Sequence, residues 1–423
     1  MDLLNINCEQ YKLKNGLDII LYHDSSLPVV SSNIWYRTGS ANEHKGKTGI
    51  AHLFEHMMFQ GSQNVQKEMH FRYIQEAGGS LNGSTSFDRT NYYEKVPSNF
   101  LELILWLESD RMGYLLPAMT QEKLDNQKGV VSNERLERYD NQPYGLAWEL
   151  VISTLYPEGH PYSWPTIGSL QDISNFTLED VHSFFTKHYS PANASLVLAG
   201  DFETAKAKEL IEKYFGILDS PAVPGPVAVP KTELPGNKML VHEDNVQLER
   251  IYLAWPTLPA YADGDNILDV LSDILSGSKN SRLYKNLVFD NEIAQDVSAF
   301  QFSGKYAGHF MIIATAKPGV SLEQLKIEIF SELDKIKKDG VTDKELTKSK
   351  NGIKSGFIYS LQNIDSLADQ LNHYSYYLGE PNSFAADLAR YQKVDSDAVK
   401  SHVEKYFAGP YVELRVVPKK GKD

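Results

Sequence analysis

A chain of 423 residues with 42% hydrophobic and 11% aromatic content is long enough for two domains with ample cores. Its net charge of −13 argues against nucleic acid as a partner. Cys8 is the only cysteine, which excludes an intrachain disulfide and a cysteine-held zinc cluster, so any metal must be held by His, Asp or Glu. No run of about 18 apolar residues suggests a membrane-spanning helix. The start, "MDLLNINCEQ", lacks a basic segment followed by an apolar one, so no leader is read there.

In chain order, "YKLKNGLDIILYHD" predicts a hairpin turning at Asn15-Gly16, and "VVSSNIWYRTGS" predicts a further strand. "KTGIAHLFEHMMF" and "MHFRYIQEAGG" predict helices, the second stopped by Gly78-Gly79. "SLNGSTSFDRTNYYEKVP" is rich in Thr, Tyr and Phe and predicts two strands. "SNFLELILWLESDRMGYLL" has helical periodicity, with Ser98 as the expected N-cap. Strands and helices do not alternate strictly, so the fold class is α+β.

Around residues 216 to 236, "GILDSPAVPGPVAVPKTELPGN" carries five prolines and predicts a semi-rigid linker. The expected domains are therefore 1–218, a linker at 219–236, and 237–423. The halves look duplicated. Near their ends Val181, Lys187 and Tyr189 match Val399, Lys405 and Phe407, all offset by 218. Near their starts Gly61 matches Gly277 at an offset of 216, which lays His52, Glu55 and His56 over Leu268, Leu271 and Ser272. The second copy is thus degenerate in the polar groups.

Those groups are "HLFEH", residues 52 to 56, inside an apolar run. On a helix, positions i, i+3 and i+4 share a face, so His52 and His56 can grip one metal ion from successive turns with Glu55 beside them. An unpaired carboxylate in an apolar helix is costly, which favours a functional reason for it. Zinc would lower the pKa of a bound water towards about 7, and the carboxylate would take its proton during attack on a carbonyl. A third ligand is needed. "LDNQKGVVSNERLERYDNQPYG" offers Glu134, three or four positions after Val130-Val131 and so expected on their inward face, and more weakly Glu137.

With these residues the chain resembles the inverzincin zinc peptidases of the pitrilysin and insulin-degrading-enzyme type, most closely their small bacterial two-domain members. Mitochondrial processing peptidase is a relative. The resemblance covers nearly the whole chain. It rests on "HLFEHMMFQGS", "AGGSLNGSTSFDRTNYYEKV" and "VVSNERLERYDNQPYG", with Glu134 some 78 residues after His56. It implies two homologous domains, each a mostly antiparallel sheet backed by helices, that together form half of a clam-shell chamber. It implies one zinc per chain on His52, His56 and Glu134, Glu55 as general base, and a zinc endopeptidase cleaving peptides or short unfolded proteins. Asn82, Gly83, Ser84 and Thr85 match the edge strand that holds substrate by main-chain pairing. The expected compartment is the bacterial cytoplasm, or the periplasm where a leader has been removed.

Two departures from the family pattern stand out. A second glutamate is usual seven residues before the third ligand, on the same helical face, and here it is Gln127. Active members also present an arginine and a tyrosine, seven residues apart, that steady the substrate carbonyl. The matching positions here are Val288 and Gln295, and the nearby Arg282 and Tyr284 read as structural. The expected partner is therefore a homologous subunit without the zinc motif that supplies the arginine and tyrosine, with a homodimer possible in isolation. The alternative is a non-catalytic homologue that binds zinc and peptide or serves structure.

Overall fold

The computed structural model describes residues 6–221 and 223–419. The leader reading of the first five residues and residue 222 of the linker lie outside that set.

The first half contains β1 (Glu9–Lys12), β2 (Asp18–His23), β3 (Val29–Tyr36), α1 (Ile50–Met57), α2 (Met69–Glu76), β4 (Ser80–Thr85) and β5 (Thr90–Pro97). It continues with α3 (Leu101–Tyr114), α4 (Gln121–Arg135), α5 (Ala147–Leu155), α6 (Leu170–Ser174), α7 (Leu178–His188), β6 (Ala194–Gly200) and α8 (Thr204–Phe215). The second half contains β7 (Lys238–Asp244), β8 (Arg250–Thr257), α9 (Asp265–Ser276), β9 (Ala294–Ser303), β10 (Gly308–Ala316) and α10 (Leu322–Asp339). It closes with α11 (Asp343–Ser360), α12 (Ile364–Leu378), α13 (Phe384–Gln392), α14 (Ser396–Phe407) and β11 (Val412–Pro418). Between Phe215 and Lys238 the described residues form no helix or strand, as five prolines dictate.

The expected hairpin forms: β1 and β2 pair antiparallel, Lys12 opposite Asp18, with Gly16 at φ +92° in the turn. The first sheet has the order β1-β2-β6-β3-β5-β4, antiparallel except for the parallel pair β2–β6. The second has the order β7-β11-β8-β10-β9, antiparallel except for the parallel pair β7–β11. Set β1 aside and the two orders coincide strand for strand. The duplication is thus written in topology more plainly than in the few matching residues. Helices α1 and α9 both start at a left-handed glycine, Gly49 at φ +90° and Gly264 at φ +99°, which lie 215 residues apart. In that register His52, Glu55 and His56 fall on Ile267, Val270 and Leu271, none of which can hold a metal.

The chain forms two compact units: residues 1–135, 165–228 and 358–385, and residues 136–164, 229–357 and 386–423. A cut at the proline-rich linker does not reproduce them, because each unit takes a segment from the other half. Helix α12 packs on β3 and β6 in the first unit. It buries Leu367, Ala368, Leu371 and Tyr374. Helix α5 packs on β8 and β11 in the second, burying Val151, Ile152 and Leu155. Each sheet has a second face to cover, and an apolar helix from the other half covers it. Loss of that helix would expose apolar area worth roughly 25 cal/mol per Å².

Ser98 is not the N-cap of α3. Residues Ser98–Phe100 form a tight 3₁₀ turn and the helix proper begins at Leu101. The Ser98 hydroxyl instead donates to Asp201 at 3.1 Å. Among the described residues no helix is long and apolar enough to cross a membrane.

Candidate functional site

Helix α1 is set in place by contacts that hold its first turn. Its N-cap is Gly49, which has no side chain to accept the free amides of the first turn. The Glu43 carboxylate does so, accepting from Gly49 N at 2.9 Å and Ala51 N at 2.8 Å. A Cβ on Gly49 would lie 2.6 Å from the carbonyl oxygen of Ile167, so only glycine lets the helix start this close to that backbone. The helix then buries Ile50, Ala51, Leu53, Phe54 and Met57. Phe54 stacks on Phe185 of α7 and lies 4.4 Å, ring to ring, from Tyr189. The i, i+3, i+4 set His52, Glu55 and His56 is left on the partly exposed face.

Helix α4 packs against α1 and brings Glu134 to that face. Glu134 Oε2 lies 3.7 Å from His52 Nε2 and 3.4 Å from His56 Nε2. Donor atoms of the three residues all fall within 4.8 Å of one another. Ligand atoms on one tetrahedral zinc, bound at about 2.0–2.1 Å, stand about 3.3–3.5 Å apart, close to the two Glu134 distances, so the donor set suits such an ion. The rings of His52 and His56 meet edge to face at 4.9 Å, so the two imidazoles converge. Helix α4 does not orient as its apolar pair suggests. Val131 is buried but Val130 is 42% exposed, so only Val131 marks the inward face that Glu134 shares. Glu137 lies beyond the end of α4 in a wider π-type turn and is exposed, outside the cluster.

Glu55 points away from bulk water towards strand β4. Its Oε2 accepts a hydrogen bond from Thr85 Oγ1 at 2.6 Å. Burial raises its pKa above the usual carboxylate range, and the Thr85 bond pulls the other way. Strand β4 is the edge of the first sheet and pairs only with β5, with Asn82 opposite Tyr93, Gly83 opposite Tyr92, Ser84 opposite Asn91 and Thr85 opposite Thr90. Among the described residues no strand pairs with its other edge, where the Gly83 amide donates to Asn82 Oδ1 at 2.9 Å. Side chains alternate across the sheet. Gly83 and Thr85 therefore face α1, while Asn82 is exposed and Ser84 bonds to Asn91 at 2.6 Å on the opposite face. Gln127 lies buried two turns before Glu134, and its amide donates to Asn126 at 2.9 Å.

Three features escaped sequence reasoning. Glu43 as a surrogate cap has no motif to announce it. The Thr85–Glu55 bond joins elements 30 residues apart. The third feature is a buried ionic cluster of His70, Glu94, Glu108 and Arg111. His70, Glu94 and Glu108 also place ligand atoms within 4.8 Å of one another. However, Arg111 already supplies the cation. Its Nε donates to Glu108 at 3.0 Å, its Nη2 lies 3.7 Å from Glu94, and its guanidinium sits 4.2 Å above the Tyr92 ring. Burial pushes both carboxyls up to about 7 and the neighbouring imidazole down to about 3. This cluster is a neutralised core network, not a second metal site.

In the second unit Val288 packs against the apolar core and Gln295 is exposed on β9. Arg282 grips Glu345 through two nitrogens, at 2.6 and 2.9 Å. That pairing gives Arg282 a structural role.

The family model for insulinase, peptidase family M16, matches residues 18–165. The model for the peptidase M16 inactive domain matches residues 175–353. A zinc protease PqqE of Helicobacter pylori is 34% identical over 365 residues, 85% of this chain and 81% of the relative. The crystal structure of a protease from Helicobacter pylori superposes with a TM-score of 0.90 at 29% identity, covering 97% of this chain and 99% of that one. The periplasmic protease PqqL from Escherichia coli shares the fold at 16% identity with a TM-score of 0.80; the match covers 97% of this chain but 48% of that one.

Proposed function

The chain belongs to the M16, or insulinase, family of peptidases, and from that premise we propose that it is a zinc-dependent endopeptidase subunit for peptides or short unfolded proteins. His52, His56 and Glu134 hold one zinc ion and Glu55 is the general base. The observation that carries the reading is a single carboxylate oxygen of Glu134 within 3.7 Å of both histidine Nε2 atoms, on the face that also presents Glu55.

When bound, zinc polarises the scissile carbonyl and makes a water acidic enough to lose a proton near neutral pH. Glu55 takes that proton and returns it to the departing amine. Its burial suits it to this exchange, because burial raises the carboxyl's pKa and so makes it a better proton acceptor than an exposed carboxylate. The substrate lies as an extra strand on the open edge of β4, along Asn82–Thr85. Main-chain pairing of this kind needs little side-chain recognition, which suits varied peptides.

Groups that hold the developing charge on the carbonyl are also required. Val288 is packed into the core and Gln295 carries no charge, so this chain does not supply them. They come from a homologous subunit that lacks the zinc motif and presents an arginine and a tyrosine. A chain of about double length that contains this fold in about half of itself is consistent with two such units working together. The same two residues favour a second reading, a zinc-holding module that binds peptide without cleaving it. Incubation of the chain, with and without its partner, with an unstructured peptide and then with a chelator separates the two. Chelator-sensitive cleavage supports the peptidase, and binding without cleavage under both conditions supports the module.

A further inference from the structure

We propose that Thr85 is a positioning residue for Glu55: its hydroxyl holds one carboxylate oxygen so that the other is kept for the His52–His56–Glu134 side of the site. The inference rests on the reading of Glu55 as base. It adds to the part expected of Thr85, whose main chain belongs to the substrate edge while its side chain points inwards to the base.

The geometry has three parts. The Thr85–Glu55 bond is 2.6 Å long and engages one oxygen of the Glu55 carboxylate. Thr85 is β-branched on a strand paired with Thr90, so its hydroxyl is presented in a nearly fixed direction. Two residues earlier on the same face stands Gly83, where a Cβ would lie 3.3 Å from Glu55 Cγ and 3.2 Å from Tyr92 Cδ1. The strand backbone therefore packs tightly against the stem of the glutamate while the hydroxyl fixes its head. A free glutamate side chain would have rotamer freedom to lose at each encounter. Here that loss is met on folding. Because β4 is also the open edge, the strand that would receive substrate is the strand that holds the base.

The test uses the zinc-loaded full chain and two ligands of one sequence. One is an unstructured fluorescent peptide. The other is its phosphinic analogue, whose tetrahedral phosphorus mimics the attacked carbon and whose oxygen accepts a hydrogen bond from protonated Glu55. Thr85→Val keeps the shape and loses the hydroxyl; Thr85→Ser restores it. For Thr85→Val the expected result is about tenfold weaker binding of the phosphinic peptide, the scale of one hydrogen bond to a charged group. Binding of the plain peptide should stay within about twofold, with zinc content and melting temperature unchanged. Thr85→Ser should recover phosphinic affinity to within about threefold. Equal losses for both ligands would overturn the proposal and return Thr85 to the substrate edge. An unchanged phosphinic affinity in Thr85→Val, a serine variant as weak as the valine one, or loss of zinc would also overturn it. A wild-type chain that binds no zinc brings down the reading of the site itself, a different outcome from any of these.

Discussion

Replacing Glu134 by glutamine keeps the shape of the side chain and removes the anion that faces both histidines. Glu134 Oε2 is 3.4 and 3.7 Å from the two Nε2 atoms, so it joins α4 to the pair on α1. Zinc sites in small proteins bind with about 10–16 kcal/mol in total. Shared over four ligands, one ligand accounts for about 2.5–4 kcal/mol, a factor of about 10²–10³ in affinity. An amide oxygen remains a weak ligand, so the lower end is the expected loss. The assay is zinc content by elemental analysis after dialysis against a weak chelator, followed by competition titration for affinity. Wild type should retain about one zinc per chain and Glu134→Gln much less. Glu137→Gln is the control: that residue is exposed and outside the cluster, so its metal content should match wild type. Undiminished zinc in Glu134→Gln would refute the assignment of the third ligand.

Glu55→Gln should keep the fold and most of the zinc while abolishing peptide cleavage, because the residue accepts a proton and is no ligand; near-normal turnover removes it from the mechanism. Arg111→Met should destabilise the chain by about 3–5 kcal/mol in urea unfolding, because it leaves Glu94 and Glu108 buried without their cation, and a loss under 1 kcal/mol would show that the two carboxyls are already neutral. Burial holds His309 down to about 3 and His160 down to about 4, against an ordinary 6.5. These two imidazoles bind more protons in the unfolded chain, so their contribution to stability is full above about pH 6.5 and falls as the pH drops towards 4 and 3; His309→Phe should change the slope in that window by up to one proton in pH-dependent melting, and an unchanged slope counts against a neutral buried His309. Adding a homologous subunit that carries the arginine and tyrosine should raise peptidase activity at least about tenfold, whereas full activity of the isolated chain, unchanged by the addition, refutes the pairing.

Local signals carried well in this chain. The Asn15-Gly16 hairpin, the helix around HLFEH and the strand pair after Gly79 all form where periodicity and turn chemistry place them. Signals that depend on tertiary partners carried less well. Ser98 has the residue type of a cap, yet its hydroxyl bonds to Asp201, 103 positions away. Val130 and Val131 look alike in sequence, but α4 covers only one of them. The exchange of α5 and α12 between units has no local signature, since an apolar helix face does not say which sheet it will cover. The trio of candidate ligands was legible because two members share one helix face and the third follows a buried valine by one turn. The tether from Thr85 was hidden because nothing in a β4 sequence tells an inward hydroxyl from an outward one.

The two copies of the fold clarify why the polar groups sit where they do. Helices α1 and α9 begin at equivalent left-handed glycines, next to sheets of the same strand order. Gly49 starts α1 against the backbone at Ile167 and Gly264 starts α9 against the His402 side chain, and in α9 the first turns are filled with buried Leu268, Val270 and Leu271. A helix of that kind gains stability from every buried apolar side chain, at about 1.5–3 kcal/mol each. In α1 two imidazoles and a carboxylate occupy the same stretch and forgo that gain. Proteins tolerate such a loss where the groups do chemistry and the surroundings hold them fixed. The glycine start is common to both copies, but around α1 Glu43 also holds the first amides, Glu134 lies against the histidines and Thr85 holds the glutamate. None of these three supports is needed to cover an apolar face. Their convergence on one short helix is the physical argument for placing the proposed zinc site in this copy and not in its twin.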